Sequence, residues 1–140
     1  PLSMVADASQ DGIVSALAIA YVKELGPLFA EFSRMLRPCG WCVFSTEHPF
    51  YAYRYFELHN YFPTQAVSTE WRGFGQVVQM SGYYHSLGTI CTACTSNGFV
   101  IEEEREPLPT EQFRKTDPQN YERLMTFPGF ICMRVRKQIL

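Results

Sequence analysis

Residues 11–49, DGIVSALAIAYVKELGPLFAEFSRMLRPCGWCVFSTEHP, decide the fold. Ile13, Val14, Leu17 and Ile19 form a short apolar run opened by Asp11-Gly12, which predicts a strand over residues 12–17 buried on both faces. From Val22 the period changes. Val22, Leu25, Leu28, Phe29, Phe32, Met35 and Leu36 recur every three or four residues, so residues 22–36 are expected to be an amphipathic helix. Pro38 stops it, because proline donates no backbone hydrogen bond and disfavours helical geometry in its predecessor. Arg37-Pro38-Cys39-Gly40 is therefore expected to turn into a second buried strand over residues 41–46, ending in the polar cluster Glu47-His48-Pro49. Strand, helix and parallel strand build doubly wound sheets, whose sites lie beyond the carboxyl ends of strands. That rule points to residues 15–21 and 45–49.

Downstream, residues 50–85 hold eleven of the chain's twenty-one aromatic residues and lack strong periodicity. So long a connection is usually a functional lid or disordered, and its aromatic content argues against disorder. Periodicity returns with Leu87, Ile90, Cys91 and Cys94, a helical stripe closed by Asn97-Gly98 as a left-handed cap. Residues 99–106 read as an acidic strand, and residues 130–137 as a basic one that alternates Ile131, Met133 and Val135 with Cys132, Arg134 and Arg136. The two are expected to pair antiparallel, with opposite charges across the ladder. Between them, Asp117-Pro118 marks a helix start running to about Met125. The chain thus divides into a strand-helix-strand core (1–49), an aromatic-rich lid or insertion (50–85) and a helix with the terminal strands (86–140), all in one domain.

Composition narrows the function. With 140 residues, 46% hydrophobic and 19% charged, the chain suits one folded domain. A net charge of −2 without a basic run gives nucleic acid binding no electrostatic support. No apolar stretch reaches the ~20 residues that span a bilayer, and no signal-peptide pattern is visible, so no membrane partner is expected. The opening at Pro1, without an initiating Met, suggests a fragment. Five cysteines, an odd number, suit free thiols in a reducing cytoplasm. Cys39-Gly-Trp-Cys42 and Cys91-Thr-Ala-Cys94 nevertheless form two C-x-x-C pairs, the ligand set of a zinc site or a redox dithiol. Residues 43–90 lie between them, well beyond the usual spacing of about 15–20 residues, so no metal site is assigned. Gly-rich phosphate loops, H-E-x-x-H and the G-x-S-x-G nucleophile elbow are all absent.

A composite pattern remains. Asp11-x-Ile13-Val14-Ser15-Ala16-Leu17-Ala18-x-x-Tyr21-Val22 precedes Leu28-Phe29-Ala30-Glu31-Phe32-x-Arg34-Met35-Leu36-Arg37-Pro38-x-Gly40-Trp41 and Phe44-Ser45-x-Glu47-His48-Pro49. Glu70-Trp71-Arg72-Gly73-Phe74, Tyr84-His85-x-Leu87, Asn97-Gly98-Phe99, Glu106-Pro107-x-Pro109 and Pro128-Gly129-Phe130 follow in order. Together they resemble the later half of class I S-adenosylmethionine-dependent methyltransferases of the small-molecule type. The resemblance implies an α/β fold, a partial Rossmann-like sheet of two parallel strands plus a C-terminal antiparallel hairpin, with helices packed on it and the N-terminal strands of the full fold absent. It implies that Ser15, Ala16, Leu17 and Tyr21 border the S-adenosylmethionine. Glu47 and His48 are the catalytic candidates, and Pro49, Tyr51, Trp71, Tyr84 and His85 face a small-molecule acceptor. His48 or His85 would serve as base only where the acceptor must lose a proton. Each is equally readable as a structural hydrogen bonder, and Glu47 as a residue that orients His48.

Two departures qualify the resemblance. Cys39 stands where the turn should carry glycine. The Gly-rich loop and ribose-binding acid of the family's first strands are also absent, so the expectation is a methyltransferase-like domain that is inactive alone, with the cofactor belonging to the full family rather than to this fragment. Its open first strand suggests a homodimer. A non-enzymatic module that binds a small ligand or protein through the aromatic pocket is the alternative, and zinc or redox chemistry the third. Oxygen, nitrogen and carbon acceptors are all left open.

Overall fold

A computed structural model of the chain describes residues 2–73 and 75–139; Phe74, the last residue of one quoted motif, lies outside them. Strand β1 (Gln10–Ala16) leads through a single 3-10 turn (Ile19–Tyr21) to helix α1 (Leu25–Met35) and strand β2 (Leu36–Glu47). Helix α2 (Pro49–Tyr55), strands β3 (Gln65–Gly73) and β4 (Gln76–Tyr84), and helix α3 (Leu87–Thr95) follow. Strand β5 (Phe99–Arg105), helices α4 (Glu111–Thr116) and α5 (Pro118–Thr126), and strand β6 (Phe130–Lys137) complete the order.

The main sheet runs β1-β2-β6-β5. β1 and β2 are parallel, and β6 lies antiparallel to both β2 and β5. It follows that β1, β2 and β5 all end at one edge. The expected Rossmann-like pair with its terminal antiparallel hairpin is present. Opposite charges do meet across the hairpin: the Glu102 carboxylate takes Arg134 Nε at 3.1 Å and Arg136 Nη2 at 3.1 Å.

Helix α1 starts three residues later than its periodicity predicts. Had it begun at Val22, Pro27 would sit in the helix interior, its ring against the carbonyl four residues back; starting at Leu25 puts Pro27 in the first turn, where a missing N–H costs nothing. The predicted turn over residues 37–40 survives as a bulge inside β2, where pairing jumps from Gln10↔Leu36 to Gly12↔Trp41. Cys39 takes φ 61° there, a conformation that favours glycine, so the glycine replacement strains the backbone rather than merely stiffening it. Arg37 pairs with Asp11 beside the bulge.

Residues 50–84 differ most from expectation. They form helix α2 and the β3–β4 hairpin, a separate two-stranded sheet. The outer half of the hairpin is exposed on both faces. The half-buried face of its inner half carries Gln65, Val67, Thr69, Met80 and Gly82, polar and small residues among apolar ones, so the burial alternation has no apolar–polar counterpart in the sequence. Helix α2 is capped by His48, whose Nδ1 accepts the Phe50 N–H, instead of by one of the commoner short polar caps.

α1 packs on the sheet through Phe29, whose ring meets those of Phe32, Phe44 and Phe99 edge to face at 5.5, 5.2 and 6.2 Å. Leu36, Ile131, Met133 and Val135 complete this layer, each burial worth about 1.5–3 kcal/mol. Cys42 and Cys94 belong to the same core, and burial pushes both thiols up to about 12, far from thiolate chemistry. Cys39 is exposed. Among the described residues, no three His, Cys, Asp or Glu side chains are placed to hold a metal, and no helix is long and apolar enough to cross a membrane.

Candidate functional site

The shared edge gathers the ends of three strands: Ala16-Leu17, Glu47-His48 and Arg105-Glu106. At its centre His48 is 1% exposed. Its Nδ1 accepts from Phe50 N–H at 3.2 Å, which leaves Nε2 carrying the proton, and Nε2 lies 2.9 Å from Glu106 Oε1. The backbone N–H of His48 donates to the Gly129 carbonyl at 2.9 Å, tying α2 to the start of β6. Both ring nitrogens are thus engaged, and His48 joins α2 and Glu106 through its ring and the start of β6 through its backbone.

Glu47, one residue earlier, points away from that network. It borders a cavity of about 550 Å³ formed with Tyr51, Leu108, Phe113, Arg123 and Phe130, under α4 and α5. Desolvation raises its carboxyl above the ordinary carboxylate range, although solvent reaches it through the mouth. On the other side Arg123 covers the Tyr51 ring at 5.2 Å and donates from Nε to Asn120 Oδ1 at 3.2 Å.

Behind Glu47, a narrow slot is lined by Pro49, Tyr84 and His85. The Tyr84 hydroxyl donates to the Tyr61 carbonyl at 2.9 Å, and the Tyr61 hydroxyl accepts the Leu87 N–H at 3.2 Å. His85 donates from Nε2 to the Val22 carbonyl at 2.9 Å, so its Nδ1 accepts from Thr64 Oγ1 at 3.1 Å. Burial lowers the pKa of His85, holding it neutral. These groups tie the end of the hairpin and the start of α3 to Tyr61 and Thr64 and to Val22 ahead of α1. Trp71 stands on the outer half of the hairpin opposite Val78 and lines none of these cavities.

Strand β1 ends differently. Leu17 adopts φ 50°, with its N–H donated to the Ser45 carbonyl at 3.0 Å, and its side chain is half exposed. Ala16 is exposed and Ser15 half-buried. Tyr21 is 54% exposed and faces the hairpin across Gly82, where an added Cβ would come 2.8 Å from the Ala20 carbonyl. Ser15, Ala16 and Leu17 make an open shelf without an opposing wall.

The whole chain superposes on known structures. A protein described as an S-adenosylmethionine-dependent methyltransferase from Listeria monocytogenes matches with a TM-score of 0.82 over 96% of this chain and 64% of its own length, at 18% identity. The fold is that of the class I methyltransferases. An S-adenosylmethionine-dependent methyltransferase from Mesorhizobium loti matches with a TM-score of 0.68 over 98% of this chain and 67% of its own, at 23% identity. The [4+2]-cyclase SpnF also shares the fold, with a TM-score of 0.55 over 96% of this chain and 53% of its own, at 14% identity. The chain therefore spans about half to two thirds of the length of these structures. No protein-family model and no curated protein sequence matches it.

Within this methyltransferase fold, Glu47, Pro49 and Tyr51 come together, with Tyr84 and His85 just behind. Sequence reasoning left Glu106, Tyr61, Phe113 and Arg123 out of the site. Glu106 was findable: it follows β5, which ends at the same edge as β2, so the carboxyl-end rule applies to it equally. Phe113 and Arg123 lie on short helices within a connection and carried no comparable signal.

Proposed function

We propose that this chain is the acceptor-facing portion of an S-adenosylmethionine-dependent methyltransferase acting on a small molecule, and that it does not hold the cofactor by itself. The observation that carries the reading is the asymmetry of the sheet edge. The β2–β5 end forms a cavity with a polar group at its mouth, whereas Ser15, Ala16 and Leu17 at the β1 end offer one exposed wall, with Tyr21 turned toward the hairpin instead. A ligand as large as adenosylmethionine needs most of its surface enclosed to bind well. With one wall, the chain alone does not align a methyl donor with an acceptor, and alignment is most of what the protein contributes to a displacement at carbon.

Calorimetric titration with S-adenosylhomocysteine tests this. The 140-residue chain is expected to give a flat trace at millimolar ligand. A chain extended by in-frame upstream sequence encoding further parallel strands is expected to give saturable binding. Saturable binding to the 140-residue chain, or none to the extended one, would refute the reading. The cyclase that shares this fold supports a second reading, binding of a small molecule in the same cavity without methyl transfer.

A further inference from the structure

We propose that Glu47 makes the cavity under α4 and α5 selective for a small amine: an aromatic or aliphatic body carrying one ammonium group. The inference rests on the reading of that cavity as the acceptor pocket and names the chemistry it takes.

Three observations carry it. The first is the cavity's size and lining. About 550 Å³ suits a small molecule, and Leu108, Phe113, Leu124 and Phe130 give it an apolar body. The second is the state of Glu47. Among the described residues its carboxylate makes no ion pair and no side-chain hydrogen bond, although Arg134, Arg136, Arg34 and Arg37 all have acidic partners. Glu47 stays in contact with solvent at the cavity mouth, and its carboxylate is aimed at a ligand with only water as its partner, so an arriving ammonium replaces that water with a charge-assisted hydrogen bond. A neutral hydroxyl makes only the ordinary bond. A carboxylate ligand meets like charge.

The third observation is the position of the cations nearby. Arg123, the guanidinium of the lining, is held over the Tyr51 ring and bonded to Asn120, and burial is the sole cause of the Glu47 shift. Arg123 therefore does not supply the missing counter-ion. The half of the pocket that faces Glu47 is left to the ligand's own positive charge.

Three probes of one shape separate the outcomes: 2-phenylethylamine, 2-phenylethanol and phenylacetate, titrated into the 15N-labelled 140-residue chain without cofactor. Amide shifts are expected at Glu47, Phe113, Leu124 and Phe130. The amine should bind about fivefold tighter than the alcohol, the upper end for a charge pair at a solvent-exposed carboxylate, and phenylacetate weakest. In Glu47→Gln, which keeps the shape and removes the charge, the amine preference should fall to about one. Equal affinity for amine and alcohol, shifts centred elsewhere, no shift with any probe, or a preference that persists in Glu47→Gln would each overturn the proposal. The outcome is independent of the cofactor test. An extended chain that binds S-adenosylhomocysteine without amine preference would remove this inference alone. Amine preference with no cofactor binding in the extended chain would remove only the methyltransferase reading.

Discussion

Where β2 and β5 end, His48 spends both ring nitrogens, one on the cap of α2 and one on Glu106, and its backbone holds the entry to β6. Where β1 ends, Leu17 sits in a left-handed conformation with its side chain half in solvent, and Val14 is 71% exposed. The two ends belong to one sheet and lie on one edge. The first is a junction closed around His48, whose polar groups are satisfied from within the chain, with the Glu47 carboxylate left unpaired, among the described residues, at the mouth of the cavity beside it. The second carries apolar surface and a strand edge that pairs with no other strand among the described residues. The contrast locates what this chain can do by itself: it forms the β2–β5 cavity, and it forms only a face of whatever lies across β1.

The largest expected effect breaks the closed end. His48→Ala removes a helix cap, the bond to Glu106 and the volume of a buried ring, and should cost about 2–4 kcal/mol in denaturant unfolding. A loss below about 1 kcal/mol would mean that the junction is not held by His48 and that the contrast is one of exposure only.

A pH titration of stability probes the same end. His85 has its pKa lowered from 6.5 by burial, so the unfolded chain binds a proton that the folded chain refuses. Stability from this group is therefore complete above pH 6.5 and is lost as pH falls below that value toward the depressed folded pKa. His85→Gln should flatten that part of the profile. An unchanged slope in the variant assigns the acid loss to another group.

Much of this was legible beforehand, and the failures have physical causes. Residues 11–49 announced strand, helix and strand, but β1, expected to be buried on both faces, holds no fully buried residue and leaves Val14 exposed, because among the described residues no strand or helix covers its outer side. Asp117-Pro118 announced α5, and the alternation of residues 130–137 gave β6 its bounds, because local chemistry and tertiary burial agree there. The β3–β4 hairpin was invisible because its half-buried face mixes Gln65, Thr69 and Gly82 with Val67 and Met80, so burial there has no apolar period to show. In the site, Glu47 and Pro49 came from the strand-end rule and Tyr51 from the family resemblance, whereas Phe113 and Arg123 reach the cavity from helices whose position depends on how the connection after β5 folds back. Trp71 also came from the resemblance, and it stands on the outer half of the hairpin opposite Val78.

On the open end the effects are smaller. Leu17→Gly removes a residue-specific strain at φ 50° and little buried surface, and should raise stability by about 0.5–1 kcal/mol. A loss of stability would show that the Leu17 side chain packs against something in solution, and that the shelf is more closed than its exposure indicates.

The smallest effect on stability is also the sharpest test of the comparison. Among the described residues β1 pairs on one side only, with β2, and its outer edge lies beside exposed Val14 and Leu17. Such an edge is a template for another strand, and we propose that in the isolated chain it recruits a second copy. Val14→Lys places a charge on that edge without touching the core, so stability should change by no more than about 0.5 kcal/mol. Sedimentation should then show concentration-dependent association for the natural chain and a monomer for the variant, because a lysine ammonium loses its hydration when a strand docks against it. A natural chain that stays monomeric at high concentration would close the open end of the comparison. A variant that still associates would move the contact away from β1, to the hairpin or the helical face.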